Sequence, residues 1–430
     1  MPQNMFLDPL KNLYSYKELL KEIQGKTSPI AIHGLSSESL GHITYALRED
    51  TKKQILVIAS DEIKAKRIYE DLKNFNTPVE MYTSREVVFY DIEALSYETI
   101  HSRLKVLSKL NNGENIVVVT YLEALLNKIM SKKLFENYTE NIKYGEIVQL
   151  KELARKFVIK GYERGNTLEG EGQFSIRGRI IDFFPPFSDY PYRIELFDDE
   201  VDSIRVFDIA SQRSIEKVNE VLIPPTREVL ILDDFKEEVI ESIDKDFNKA
   251  LKRSKDNLKE KELLENKFLK YMESIREGLN VNNVDMVTPY IPDDKLGSLI
   301  DYLDKNSLIL LDDPKRIEEK VKEIYNEFVF KFTDVFQRGE LLSSHENIYY
   351  DYEKLSEKIK KYTCITVSAF LKTDEMYRSK SILNITTKSM QSFHNKIDFL
   401  VEELKHYKYR GYKTIIFSGT EDRGQRLEST

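Results

Sequence analysis

GQFSIRGRIIDFFPPFSDYPYRIELFDDEVDSIRVFDIASQR, residues 172–213, decides how this chain is read. Three runs rich in β-formers are punctuated by Pro185-Pro186 and by an acidic turn at Asp198-Asp199-Glu200. Side chains alternate along a strand. The run 192–197 therefore sets Ile194 and Leu196 on one face and Arg193, Glu195 and Phe197 on the other. Solvated faces of small antiparallel sheets normally carry polar residues. A Phe beside an Arg on such a face has the composition of an interface anchor, since interface hot spots are enriched in large aromatics and Arg. Arg177 lies opposite Phe174 and Ile176 on its own run, and a suitable register would bring it to Arg193 and Phe197. Two guanidiniums for carboxylate pairing and one ring for an apolar pocket make a compact protein-docking surface. The competing reading has Phe197 as core at the strand end and the arginines in surface ion pairs.

The same stretch carries a resemblance. The pattern F-x-x-R-G-x-I-x-D-x-F-P, from Phe174 to Pro185, is followed by P-Y-R-I-E-L-F-D-D-E-V-D-S-I-R-x-F-D from Pro191 to Asp208. Together they resemble the module shared by the excision-repair protein UvrB and the transcription-repair coupling factors (Mfd). The D-x-x-S-Q-R ending at Arg213 is more similar to the coupling factors. Weaker similarity runs through most of the chain. The resemblance implies that this module binds UvrA, with Arg177, Arg193 and Phe197 at the motif positions that contact it. It also implies that RNA polymerase, DNA, ATP and Mg belong to a motor further along the full-length protein.

Length and composition set the frame. At 430 residues the chain should hold about three domains. Its 41% hydrophobic content supports ordinary cores, and a net charge of −8 argues against a wholesale nucleic-acid coat. A single cysteine, Cys364, allows no disulfide framework within the chain and suits a reducing, cytoplasmic compartment. No apolar run reaches about 18 residues, so no membrane span is expected. The opening MPQNMFLDPLKN lacks the pattern of a signal peptide.

Around the small module the pattern is α/β. Continuous apolar runs at 54–59 and 116–120 alternate with helical patterns, as in a parallel sheet covered on both faces. The expected fold is multidomain α/β. A degenerate, helicase-like parallel domain spans residues 1–131 and 213–335, returning to itself after the insert as the UvrB-like resemblance implies. A small inserted α+β domain, to which the resemblance assigns UvrA binding, spans 132–212. A further α/β domain spans 340–430, with strands at 364–370 and 414–417 and an amphipathic helix marked by Phe393, Ile397, Leu400, Val401 and Leu404. The helix opening at Thr420 is left after about two turns, so the sequence reads as the front of a longer protein.

Two motifs suggest nucleotide chemistry and then fail to complete it. The turn after the run at 29–32 sits where a phosphate-binding loop would lie, and such a loop needs G-x-x-x-x-G-K-[ST]. Counted from Gly34, Ser39 replaces the second glycine, Leu40 the lysine and Gly41 the Mg-holding hydroxyl, while Glu38 adds a repelling carboxylate. The plain reading is a strand-to-helix turn and an inactive loop. Residues 308–314, LILLDDP, mimic a metal-holding strand but read more simply as a buried strand ending in an Asp-Pro turn. The six histidines have no zinc-like spacing, so no metal site and no cofactor are expected in this part. These 430 residues read as non-catalytic.

Two alternatives stand beside this reading. One is a nucleotide-driven, helicase-like front half acting through the Gly34 turn. The other is a UvrB-like, ATP-dependent damage binder, for which the aromatic segment 82–98 with Phe89, Tyr90 and Tyr97 is short. The mixed-charge region 244–270 reads as a solvated helical face. Residues 151–182 hold seven Lys and Arg against five acids, a mix that suits an acidic protein partner or single-stranded nucleic acid.

Overall fold

A computed structural model describes residues 5–87, 89, 97–254, 257–278, 281, 283–372, 374–390, 393 and 397–428. The larger body is built on a seven-stranded parallel sheet. Its strand order is Ser381–Asn384, Ile30–His33, Thr363–Ser368, Leu308–Asp312, Ile55–Ala59, Val117–Tyr121 and Val79–Tyr82. Every pairing is parallel. The three strands Leu308–Asp312, Ile55–Ala59 and Val117–Tyr121 are buried at every position, as their unbroken apolar runs require. Alternation sorts their side chains into two cores. Leu56, Ile58, Val118, Ile309 and Leu311 face one. Ile55, Val57, Val117, Val119, Leu308 and Leu310 face the other.

Helices cover both faces. On the second core lies Glu62–Asn74, whose Ala65, Ile68 and Leu72 recur at helical spacing and whose first turn is closed by Asp61 accepting from Lys64 N at 2.9 Å. On the first lie Glu98–Asn111, Pro314–Gln337 and a helical pair, Lys236–Arg253 and Leu258–Arg276. The charged region from 233 to 277 is thus two helices, the second capped by Asn257, which accepts from Glu260 N at 3.2 Å. No described helix is long and apolar enough to cross a membrane.

The small domain is a six-stranded sheet in the order Ser214–Val218, Glu200–Phe207, Tyr192–Phe197, Ile180–Phe183, Gln173–Arg177 and Glu163–Arg164. Helix Leu150–Ile159 closes one face, with Leu153 and Phe157 set among Phe174, Ile181, Phe183 and Ile194. Phe157 stacks on Phe174 with ring centroids 5.0 Å apart.

Two expected boundaries need correction. The unit assigned to 340–430 is not separate. Strands Thr363–Ser368 and Ser381–Asn384 belong to the large sheet, on either side of Ile30–His33. A buried apolar run identifies a strand without saying which sheet it joins. Beyond Ile397 the described helices Ile397–Tyr409 and Glu421–Glu428 bury no side chain. The strand expected at 414–417 does not form; Phe417 instead stacks on Phe6 at 5.8 Å. Phe393 lies outside the helix. The insert is also shifted. Helix Lys132–Tyr138 sends Leu134 and Phe135 into the large core, while Ser214–Val218 and Glu220–Ile223 pair within the small domain. The insert therefore runs from Glu140 to Ile223.

His345 is fully buried where the helical pair meets the body, its Nε2 3.1 Å from the Met286 carbonyl. Burial lowers its pKa to about 4, with backbone contacts to Leu342 and Met286 opposing only part of that shift. An unfolded imidazole takes up its proton near pH 6.5, and the folded one resists until about 4. Stability present at neutral pH is therefore lost as pH falls through this window, by about 3 kcal/mol in total. Thermal melts from pH 7 to 4 should show a steeper decline for wild type than for His345→Gln. Parallel profiles would contradict this assignment.

Candidate protein-docking surface

Strand register places the expected residues on one face. Arg193 pairs with Asp182, and Asp182 with Ser175. One row along, Glu195 pairs with Ile180, and Ile180 with Arg177. This face is opposite the helix-covered core. The next row holds Phe197, opposite Glu200 across the Asp198-Asp199 turn. Asp198 takes a positive φ of 58° there, a conformation Asp tolerates better than most residues. Phe197 is 77% exposed, so it is not core at a strand end.

The arginines differ from their expected state. Asp182, almost wholly buried, receives Arg193 Nε at 2.7 Å and Arg193 Nη2 at 2.9 Å in a bidentate pair. Arg177 Nη2 donates to the same carboxylate at 2.6 Å. Arg193 also donates to Gln212 Oε1 at 2.9 Å and lies 4.4 Å from the Phe207 ring centre. Its pKa is raised, first by the Asp182 hydrogen bond. With its side chain only 15% exposed, Arg193 is a structural clasp rather than an open guanidinium. Arg177 is 49% exposed and retains an outward edge. The surface closest in character to the expectation is thus Phe197 with Arg177. Arg179, paired with Asp198 at 3.0 Å, stands beside the turn.

The glycine turn of the large body is closed by its own chain. Gly34 has φ 90°, and a Cβ there would come within 2.8 Å of Asn384 Oδ1. Ser36 N donates to Thr387 Oγ1 at 2.7 Å, and Ser389 Oγ donates to Glu38 at 2.7 Å. That last bond leads the causes that lower the Glu38 pKa. Ser39 Oγ lies 2.9 Å from Ser36 Oγ. Leu40 is buried. A Cβ on Gly41 would meet Asp71 Cβ at 2.7 Å, so close packing of two helices accounts for that glycine. Asp312 ends its strand in an ion pair with Lys64 at 3.0 Å. Asp313 pairs with Lys372 at 2.8 Å, and Pro314 opens the next helix. In the aromatic segment, Phe89 is buried 6.0 Å from Phe328 and Tyr97 stacks on His101 at 5.8 Å; Tyr90 lies outside the described residues.

Comparison with known proteins agrees with this division. The family described as the UvrB interaction domain matches residues 141–229, which contain the six-stranded sheet. A transcription-repair-coupling factor of Bacillus subtilis (strain 168) is 30% identical over 423 residues, 98% of this chain and 36% of that protein. The chain is similar to the N-terminal part of the transcription-repair-coupling factors. Factors of the same name from Staphylococcus epidermidis (strain RP62A) and Staphylococcus aureus (strain bovine RF122) are each 25% identical, over 95% of this chain and 35% of theirs. The chain thus spans little more than a third of the length of the relatives it matches.

Sequence reasoning missed Asp182 as the organiser of the face. The available signal was an acidic residue inside a β run, where Asp is disfavoured unless something pairs with it. Removing one partner of a buried ion pair typically costs about 3 to 5 kcal/mol. Arg193→Ala should therefore lower the melting temperature by several degrees or more. Phe197→Ala, at an exposed site, should change stability by no more than about 0.5 kcal/mol. Calorimetry checks both, and equal melting temperatures for Arg193→Ala and wild type would contradict the clasp.

Proposed function

We propose that this chain is a non-catalytic docking part of a transcription-repair coupling factor, recruiting UvrA through the solvent-facing side of its small sheet. Phe197 is the apolar anchor and Arg177 the charged one. The observation that carries the reading is a 77% exposed phenylalanine on a sheet face where Asp182 and Glu195 are paired internally, within the segment matching the UvrB interaction domain. Leaving a ring in water forgoes its burial, worth about 1.5 to 3 kcal/mol, which a partner's pocket would recover. The outward edge of Arg177 suits a carboxylate of that partner. Arg193 contributes indirectly by fixing the strands.

In this reading the full-length protein is an ATP-dependent DNA translocase that removes RNA polymerase stalled at DNA lesions. ATP, Mg and the contacts to polymerase and DNA belong to its other regions. The Gly34 turn takes no part. It lacks the lysine that would reach the β- and γ-phosphates and the hydroxyl that would hold Mg. Asn384, Thr387 and Ser389 lie against its backbone and its carboxylate.

The test is equilibrium binding of purified UvrA to the 430-residue chain. Phe197→Ala should weaken binding by at least about 2 kcal/mol, roughly thirtyfold, without loss of folding. Arg177→Ala should also weaken it. Wild-type affinity in both variants would contradict the docking assignment. Titration with ATP should show no saturable binding, and a saturable isotherm would favour a nucleotide-driven function.

A further inference from the structure

The row that holds Phe197 continues across the sheet. Ile147 forms a bridge with Glu200, which itself pairs with Phe197. Val148 N donates to Asp199 O at 2.6 Å and Val201 N donates to Glu146 O at 2.9 Å. These bonds flank Ile147 and Glu200 as a non-hydrogen-bonded antiparallel pair, the type whose side chains stand closest. Directly paired residues share a face. Phe197, Glu200 and Ile147 therefore project together. The two pair spacings set the outer Cα atoms about 10 Å apart.

The composition of this row is unusual. Phe197 is 77% exposed and Ile147 69% exposed. A single exposed isoleucine is ordinary, but two large apolar side chains flanking one acid on a solvated sheet face are not. Among the described residues no ion pair reaches the Glu200 carboxylate. In the neighbouring row Glu195 is held by Ser203 Oγ at 2.7 Å and by Arg205 Nη2 at 3.1 Å. Glu195 is thus held within the sheet, whereas the Glu200 carboxylate stands open between two apolar groups.

We propose that Ile147 and Glu200 complete the docking surface: the partner that covers Phe197 also buries Ile147 and places a basic side chain against Glu200. Two arguments fix the occupant. Ile147 is continuous with Phe197 along one row, so a partner seated on the ring reaches it within one helix diameter. The open carboxylate calls for a cation on the partner. The inference rests on UvrA being that partner.

The experiment measures UvrA affinity for the 430-residue chain carrying Phe197→Ala, Ile147→Asp, Ile147→Ser or Glu200→Lys. Ile63→Asp, on an exposed helical site of the large body, is the control. Melting temperatures are recorded for all. Ile147→Asp, Ile147→Ser and Glu200→Lys should each bind at least about tenfold more weakly with unchanged melting temperatures, and Ile63→Asp should bind as wild type. Weak binding by Phe197→Ala with wild-type affinity in the Ile147 and Glu200 variants would overturn the inference and leave docking at Phe197 in place. Wild-type affinity in every variant would overturn the docking reading and this extension with it. Loss of affinity at Ile147 and Glu200 but not at Phe197 would contradict the proposal that one partner covers the ring and the rest of the row together.

Discussion

Asp182 sits in the middle of a strand with almost no access to water, and an ionised carboxylate is stable there only because guanidiniums reach it. Arg193 binds it with two nitrogens and Arg177 with one, from the strands on either side. Three strands are thereby pinned in one register. A slip of one residue would break the pairs and turn every side chain to the opposite face. The same register keeps Ile194 and Leu196 in the small core and lifts Phe197 into solvent. The clasp thus fixes the face on which Phe197 stands, with Arg193 itself largely enclosed by its partners.

The small domain is anchored to the large sheet by a second buried charge. Glu228, on the return from the insert, accepts from Arg103 Nε at 2.7 Å and lies 3.3 Å from Arg85 Nε. Arg103 is fully buried and covers the Tyr82 ring, at the edge strand of the sheet, at 4.0 Å. Helix Glu98–Asn111 adds contacts beside it: His101 Nδ1 lies 2.9 Å from Glu171, and Gly172 is close enough that a Cβ would sit 3.3 Å from the His101 ring. Buried ion pairs add little net stability but demand one geometry. Here that geometry orients the small sheet relative to the α/β base.

Period-two alternation over residues 192–197 was readable in the sequence and gave the faces of Arg193 and Phe197 correctly. Unbroken β-branched runs likewise announced the buried parallel strands. What escaped were relations between distant segments. The shared carboxylate of Arg177 and Arg193 depends on cross-strand register, which a single strand does not encode. The run at 364–370 announced a strand but not the place of Thr363–Ser368 between Ile30–His33 and Leu308–Asp312, so a separate final domain was expected where the large sheet continues. Ile147 lies in the short sequence Gly145-Glu146-Ile147-Val148, where nothing local distinguishes a core residue from an exposed one. Only its bridge to Glu200 places it beside Phe197.

The central claim is that a partner covers the Phe197 ring. Hydroxyl-radical footprinting of the chain with and without UvrA reads that ring directly, and Phe330, equally exposed at 78% on helix Pro314–Gln337, is an internal reference. Added UvrA should slow oxidation of Phe197 several-fold while Phe330 reacts at its free rate. Oxidation of Phe197 at the same rate in the free chain and at saturating UvrA would contradict the account.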